Sequence, residues 1–182
     1  MAEAAPDALI TSADLLAFVE ETMQVAALRY LTRSGPFAHA LQAATGTTLP
    51  EPLEAREVSG AQLVLAWRSP TETLCITRSA SRLAELSTRL AAAAAPDGYL
   101  VELRGGVSIV RLTGLRIADL LCRLGGTSVV PAPGEARRGR LADVPVLALA
   151  VRAGETLLAV DRAYLPHLMA WIRETLLDFE AG

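Results

Sequence analysis

Apolar positions along this chain fall into short runs of strand length and longer stretches at helical spacing, punctuated by Gly, Pro and charged residues. Residues 25–31 (VAALRYL) and 107–112 (VSIVRL) predict short strands. A helix is predicted after each, over 36–44 and 115–124. Pro36 suits a first helical turn, where a missing N–H costs nothing. Leu120, Leu121 and Leu124 make one buried stripe, and Gly46 and Gly125-Gly126 are helix stops. A Pro-containing loop follows in both places, and then two runs that read as a hairpin. These are 61–67 with 72–77, and 144–152 with 156–160, joined by the turn segments RSPTE and RAGE. Closing helices are predicted over 79–95 and 162–177. Leu165, Leu168, Ile172, Leu176 and Phe179 mark the inner face of the second, and Asp161 is its N-cap. Ahead of all this, residues 11–23 (TSADLLAFVEETM) read as an extra amphipathic helix, capped by Thr11 with Asp14 or by Ser12.

The order of elements is the same twice, which predicts an internal duplication. Leu31-Thr32 matches Leu112-Thr113, and Pro50 and Pro52 match Pro131 and Pro133, all at one constant offset. Glu72-Thr73-Leu74 matches Glu155-Thr156-Leu157 at a slightly longer offset, as a loop insertion would produce. The predicted fold is α+β: two tandem β-α-β-β-α halves related by a pseudo-two-fold, with mainly antiparallel sheet. The chain is read as a single domain, 1–182, with halves at about 25–95 and 99–177 and the helical segment 11–23 in front. Pro96 and Gly98 stop the Ala-rich helix between the halves. One copy of this unit would be marginal by itself, and a second completes its core. Leu31 is expected to be equivalent to Leu112, and Leu74 to Leu157, with all four pointing inward.

Composition narrows the function classes. Hydrophobic residues make up 52% and aromatics 4%, with 33 Ala and 30 Leu, so the core is aliphatic. The net charge of −3 argues against a nucleic-acid partner, which selects a basic footprint. All 17 basic residues are Arg. With no Lys there is no Schiff base and no phosphate-loop lysine. With no Asn there is no N-glycosylation and no Cys-His-Asn arrangement. The start of the chain does not read as a secretory signal, and no apolar run is long enough to span a membrane. A cytoplasmic protein is expected.

Candidate chemistry is sparse. Cys75 and Cys122 each sit in an apolar run and read as buried, reduced thiols; His39 and His167 stand alone, so no metal-ligand spacing exists. Asp143 reads as a solvated strand end, Gly105-Gly106 as a turn into a strand. Arg137, Arg138 and Arg140 form the one charge cluster (PGEARRGR), read as a loop whose planar forks could meet acidic groups of a partner. Leu15, Leu16 and Val19 of the first segment are the candidate exposed aliphatic surface beside it. Trp171 is expected on the core side of its helix, with a rim position as interface anchor the alternative.

Several segments taken in order resemble a known family. They are GGVSIVRLTGLRIADLLCRLGG (105–126), PAPGEARRGRLADVPVLALAVRAGETLLAVDRAYLPHLMAWI (131–172) and LAWRSPTETLCIT (65–77). Together they resemble the gamma subunits of heterotetrameric sarcosine oxidases, of the aminomethyltransferase-like, folate-binding fold. The resemblance implies a non-catalytic subunit of a complex that demethylates sarcosine or a related N-methyl amine oxidatively. It implies no cofactor on this chain. FAD, FMN, NAD and tetrahydrofolate would sit on partner subunits, the large alpha and beta chains, with a small delta chain completing the complex. The isolated chain could then form a homo-oligomer. The acidic residue that meets the folate amine in aminomethyltransferases, near a Gly-Gly-x-x-Asp-Asp stretch, has no match here. A stand-alone folate or tetrahydropterin binder of the same fold, and an unrelated α+β interaction module, are the alternatives.

Overall fold

The computed structural model describes residues 9–12 and 14–180. The chain forms two compact units. One holds the described residues up to Glu21, then Gly106–Pro133, and from Arg137 on; the other holds Thr22–Gly105 with Gly134–Ala136.

The second unit is built on strands β3 (Gln24–Tyr30), β4 (Ala55–Val58), β5 (Leu63–Ser69), β6 (Glu72–Thr77) and β7 (Gly98–Glu102). They form an antiparallel sheet in the order β4-β5-β6-β3-β7. Helices α1 (Pro36–Thr45) and α2 (Ala80–Ala92) bury Phe37, Leu41, Leu83, Leu86 and Leu90 with Leu28, Tyr30, Leu65 and Cys75 of one sheet face. Pro36 stands in the first turn of α1, and Gly46 ends that helix in the left-handed conformation. The Gly46 N–H donates to Gln42 O at 2.8 Å. The Ser79 hydroxyl caps α2 by accepting from Arg82 N at 3.3 Å. Val25, Ala27, Ala66, Leu74 and Ile76 on the opposite sheet face are also withdrawn from solvent.

The first unit repeats the plan. Its strands are β1 (Leu9–Ser12), β2 (Leu15–Val19), β8 (Val107–Gly114), β9 (Glu135–Leu141), β10 (Val144–Arg152) and β11 (Glu155–Asp161), in the sheet order β1-β2-β8-β11-β10-β9. Helices α3 (Ile117–Gly125) and α4 (Leu165–Glu180) cover one face. Leu120, Leu121, Leu168, Ile172 and Leu176 pack there on Ala17, Val110, Leu112, Ala148 and Leu158. The Asp161 carboxylate accepts from Ala163 N at 2.9 Å and starts the 3₁₀ turn Arg162–Tyr164 that leads into α4.

Strand register makes the duplication explicit and corrects one equivalence. Ala27 faces Leu74 and Leu28 faces Thr73; Arg111 faces Leu157 and Leu112 faces Thr156. Leu74 and Leu157 therefore match, as expected, and both are buried. The partner of Leu112 in the other unit is Leu28, and not Leu31. Leu31 lies beyond β3 and is 76% exposed; its counterpart in the same register is Leu115, 89% exposed in the turn after β8. The matched dipeptide Leu-Thr misled because it sits three positions too late, just past the end of β3. Both hairpins also carry a register shift near the turn, between Trp67 and Ser69 and between Leu149 and Arg152.

Three further points differ from the expectation. The described residues of 11–23 form no helix: β1 ends and β2 lies there, the two pair, and β2 also pairs with β8. LLAFV satisfies a strand as well as a helix, since Leu15, Ala17 and Val19 alternate onto the core. The open edge of β8 supplies the ladder that decides it. Gly114 lets the end of β8 approach the residue before β2: a Cβ there would lie 2.1 Å from Asp14 O. The segment 98–102 is a strand of the second unit, β7 pairing with β3, instead of the opening of a second half at 99. PGEARRGR is no loop but leads into β9, an edge strand. It ends in a two-residue turn, Ala142-Asp143, both at positive φ, the geometry that suits a hairpin.

Candidate partner-binding surface

The alternation of β9 separates the three arginines. Arg138 and Arg140 project to one side with buried Ala136, while Arg137 shares the other side with Gly139 and Leu141, against the helices. Gly139 is required there, because a Cβ would come within 2.7 Å of Val129. Arg138 and Arg140 are exposed and Arg137 half-buried. The Arg140 guanidinium donates to Asp143 O and lies 3.8 Å from the Asp143 carboxylate, so it is partly used within its own hairpin. Charge on an edge strand also disfavours the addition of a strand from another molecule.

The aliphatic residues assigned to the same surface are elsewhere. Leu15 is buried in the core, and Leu16 and Val19 are half-buried on β2, because the segment is a paired strand and not a surface helix. Among the described residues, the large exposed apolar ones are Leu31, Leu115, Tyr99, Val101, Leu53, Tyr164, Trp171 and Leu177. Trp171 points outward at 49% exposure, against the expectation of a core position. The sequence signal was available: Trp171 follows Leu168 by three but precedes Ile172, so the stripe Leu165–Leu168–Ile172–Leu176 leaves it on the far side.

One polar cluster lies almost out of solvent. The Arg111 guanidinium, 12% exposed, donates to the carboxylates of Glu20 and Glu155, which are 7% and 19% exposed. Arg152 reaches Glu155 at 3.6 Å from the solvent side. The cluster ties the end of β2 to β8 and to the β10–β11 turn. Its charges are paired before any ligand arrives, which leaves them poor candidates for acid–base work.

Burial pushes the Cys75 thiol up to about 12, so it carries no thiolate near neutral pH. Cys122, expected to be buried, is exposed on α3. Burial works to raise the Glu54 carboxyl, but its bonds to Arg56 and the Glu51 N–H outweigh that and hold it below its ordinary range. Among the described residues, no three His, Cys, Asp or Glu side chains converge to hold a metal ion. No helix there is long and apolar enough to cross a membrane.

Among the described residues, acids line a broad depression, whose Asp119 and Asp178 lie 3.2 and 3.9 Å from Arg116 and Arg123, and two smaller clefts. One, of about 260 Å³, lies between α1 and α2 and holds Glu85, which is bonded to both Arg82 and Arg89. The other, of about 170 Å³, is lined by Leu115, Leu121, Pro131, Pro133 and Glu155. Neither fits a folate. Both fall below the roughly 300–1,000 Å³ of ligand sites, and neither acid is free to face an amine. The broad depression, of about 830 Å³ over α3 and α4, is open surface, where Arg116 and Arg123 lie 4.0 and 5.3 Å from the Phe179 ring.

No family model matches the chain, and no curated protein does. Solved structures do. A chain of heterotetrameric sarcosine oxidase from Corynebacterium sp. U-96, in complex with pyrrole 2-carboxylate, superposes with a TM-score of 0.80 at 20% identity, covering 97% of this chain and 91% of that one. Glycine cleavage system aminomethyltransferase T from Bartonella henselae gives 0.61 at 14% identity, over 89% of this chain and 46% of that one. A C-terminal domain described as regulatory, of aspartate kinase from Porphyromonas gingivalis W83, gives 0.51 at 9% identity, over 91% of this chain and 99% of that one. The chain thus has the fold expected from the resemblance, aminomethyltransferase-like and shared with a sarcosine oxidase chain. At these identities the likeness is one of fold, and the same duplicated plan serves unrelated roles.

Proposed function

We propose that this chain is a non-catalytic, gamma-type subunit of a sarcosine-oxidase-like flavoenzyme complex, where it serves assembly. The observation that carries the reading is the likeness over nearly the whole length of both chains to a component of a heterotetramer. By contrast, aminomethyltransferase T extends well beyond the matched part. The clefts support the same reading, since their acids are neutralised by arginines within the fold. Oxidation of sarcosine or a related N-methyl amine, with FAD, FMN, NAD and tetrahydrofolate, then belongs to the large alpha and beta chains, with a delta chain beside them.

The test is co-expression with the alpha, beta and delta chains of the source organism, with an affinity tag on this chain alone. Flavin absorbance and sarcosine-dependent peroxide release should travel with the tag, while this chain alone is colourless and inactive. A chain that retains no flavoprotein, or that releases peroxide by itself, overturns the proposal.

A further inference from the structure

Helix α4 carries apolar residues on two sides. Its inner side, Leu165, Leu168, Met169, Ile172 and Leu176, is spent on the core of its unit. Its outer side carries Tyr164 from the preceding 3₁₀ turn, then His167, Ala170, Trp171, Glu174 and Leu177, all exposed, with Tyr164 and Trp171 at 49% and Leu177 at 55%. The chain has only two Trp and three Tyr, and one of each is placed here. A helix with large apolar groups on both sides is normally covered on both. The His167 ring leans edge-on against Trp171 at 6.4 Å between centroids, so the stripe is already partly ordered.

The chemistry of the stripe identifies its occupant. The six positions of this stripe map onto one another about the point between Ala170 and Trp171, while Pro166 at its margin is exposed and maps onto buried Thr175. If a second copy lies antiparallel on this helix across a two-fold axis through that point, three kinds of pair form, each twice. Tyr164 meets Leu177, apolar on apolar. Ala170 meets Trp171, a small residue opposite a large one, so the helices can interdigitate. His167 meets Glu174; its Nε2 lies 3.3 Å from Ala142 O, which leaves Nδ1 as the ring nitrogen that can offer an N–H to a carboxylate. Glu174 has no ion-pair partner among the described residues. An isologous interface demands this self-complementarity, because each residue's partner is set by the same surface read in reverse. A stripe meant for an unrelated partner has no reason to satisfy it.

We propose that α4 is a homodimer contact: two copies of this chain pair through antiparallel α4 helices centred on Trp171. The inference goes beyond the subunit reading and does not depend on it. One helix face is a small interface, so the dimer is of the weak, reversible class, seen at micromolar and higher concentration.

Sedimentation velocity of the full chain over a concentration series tests it. The wild type should pass from monomer to dimer. Trp171→Glu should remain a monomer throughout, with a melting temperature close to that of the wild type, because the residue lies outside the core cluster. Glu174→Arg and His167→Glu should each weaken dimerisation about tenfold, since two facing pairs are lost or made repulsive. The double variant His167→Glu/Glu174→Arg should recover most of that loss, because each glutamate then faces an arginine of the other copy. Recovery in the double variant is the outcome that a merely sticky surface would not produce. A wild type that is monomeric at every concentration, a dimer indifferent to Trp171→Glu, or a double variant no better than the singles overturns the proposal.

Discussion

Arg111 occupies, in one unit, the register position that Ala27 occupies in the other. The substitution between copies puts a charge on a strand interior, and Glu20 and Glu155 answer it. Removing one partner of a buried pair strands the other. Arg111→Met should therefore cost about 3–5 kcal/mol in urea unfolding, with Glu20→Gln and Glu155→Gln added in the same chain recovering a large part. A cost below about 1 kcal/mol, the ordinary worth of an exposed pair, would mean that the cluster is effectively solvated. The cysteines give a second test at this scale. With its pKa pushed up to about 12, Cys75 should not react with a thiol reagent in the native protein at pH 8, whereas exposed Cys122 should. One thiol native and two in denaturant is the expected count. Little of this was legible in the sequence. Glu20 is 91 residues from Arg111, and the apolar run around Cys122 describes a helix whose inner stripe happens to miss the sulfur.

The elements that were readable are the central strands, the hairpins and the helices, where apolar spacing follows burial. The elements missed are β1, β2, β4, β7 and β9: all but β2 are sheet edges, short or rich in charge, and each takes its structure from the neighbour that lies alongside, as β2 does from β8. Helix starts show the same limit. The α1 helix begins after Gly35, which has no side chain to cap it, and its cap comes from 60 residues away: Asp97 Oδ1 accepts from Phe37 N at 2.8 Å. Gly35 makes room for that carboxylate, because a Cβ there would stand 1.9 Å from Asp97 Oδ2. Asp97→Ala should cost about 1 kcal/mol, the worth of an N-cap. Gly35→Ala should cost at least as much, by expelling the same carboxylate, and the two losses should not add in the double variant. Additive losses, measured by chemical denaturation, would show that the glycine matters for some other reason.

At the scale of the whole chain, the longer of its two excursions into the second unit ends in a closure that bears on the first. The chain leaves the first unit after Glu21 and returns at Gly106. In between, β3 opens the second unit and β7 ends it, and the two are paired: Ala26 faces Glu102, and Leu103 N donates to Val25 O at 2.8 Å. Folding of the second unit therefore brings the ends of the long excursion together, and those ends are continuous with β2 and β8, which must pair in the first unit. Closing a loop of that length in an open chain costs of order 4 kcal/mol of entropy, and the folded second unit removes most of it in advance. The β10–β11 hairpin, closed by a two-residue turn, receives no such help. Destabilising the second unit should thus be felt selectively. Leu65→Ala, at a fully buried position on β5, should cost about 2–5 kcal/mol in its own unit. In native-state hydrogen exchange it should also lower protection of the β2 amides that pair with β8, while amides within β10–β11 keep theirs. If β2 exchanges as in the wild type, the two units do not communicate through the closure, and β2 is held to β8 by its own contacts, Leu15, Ala17 and the Glu20–Arg111 pair.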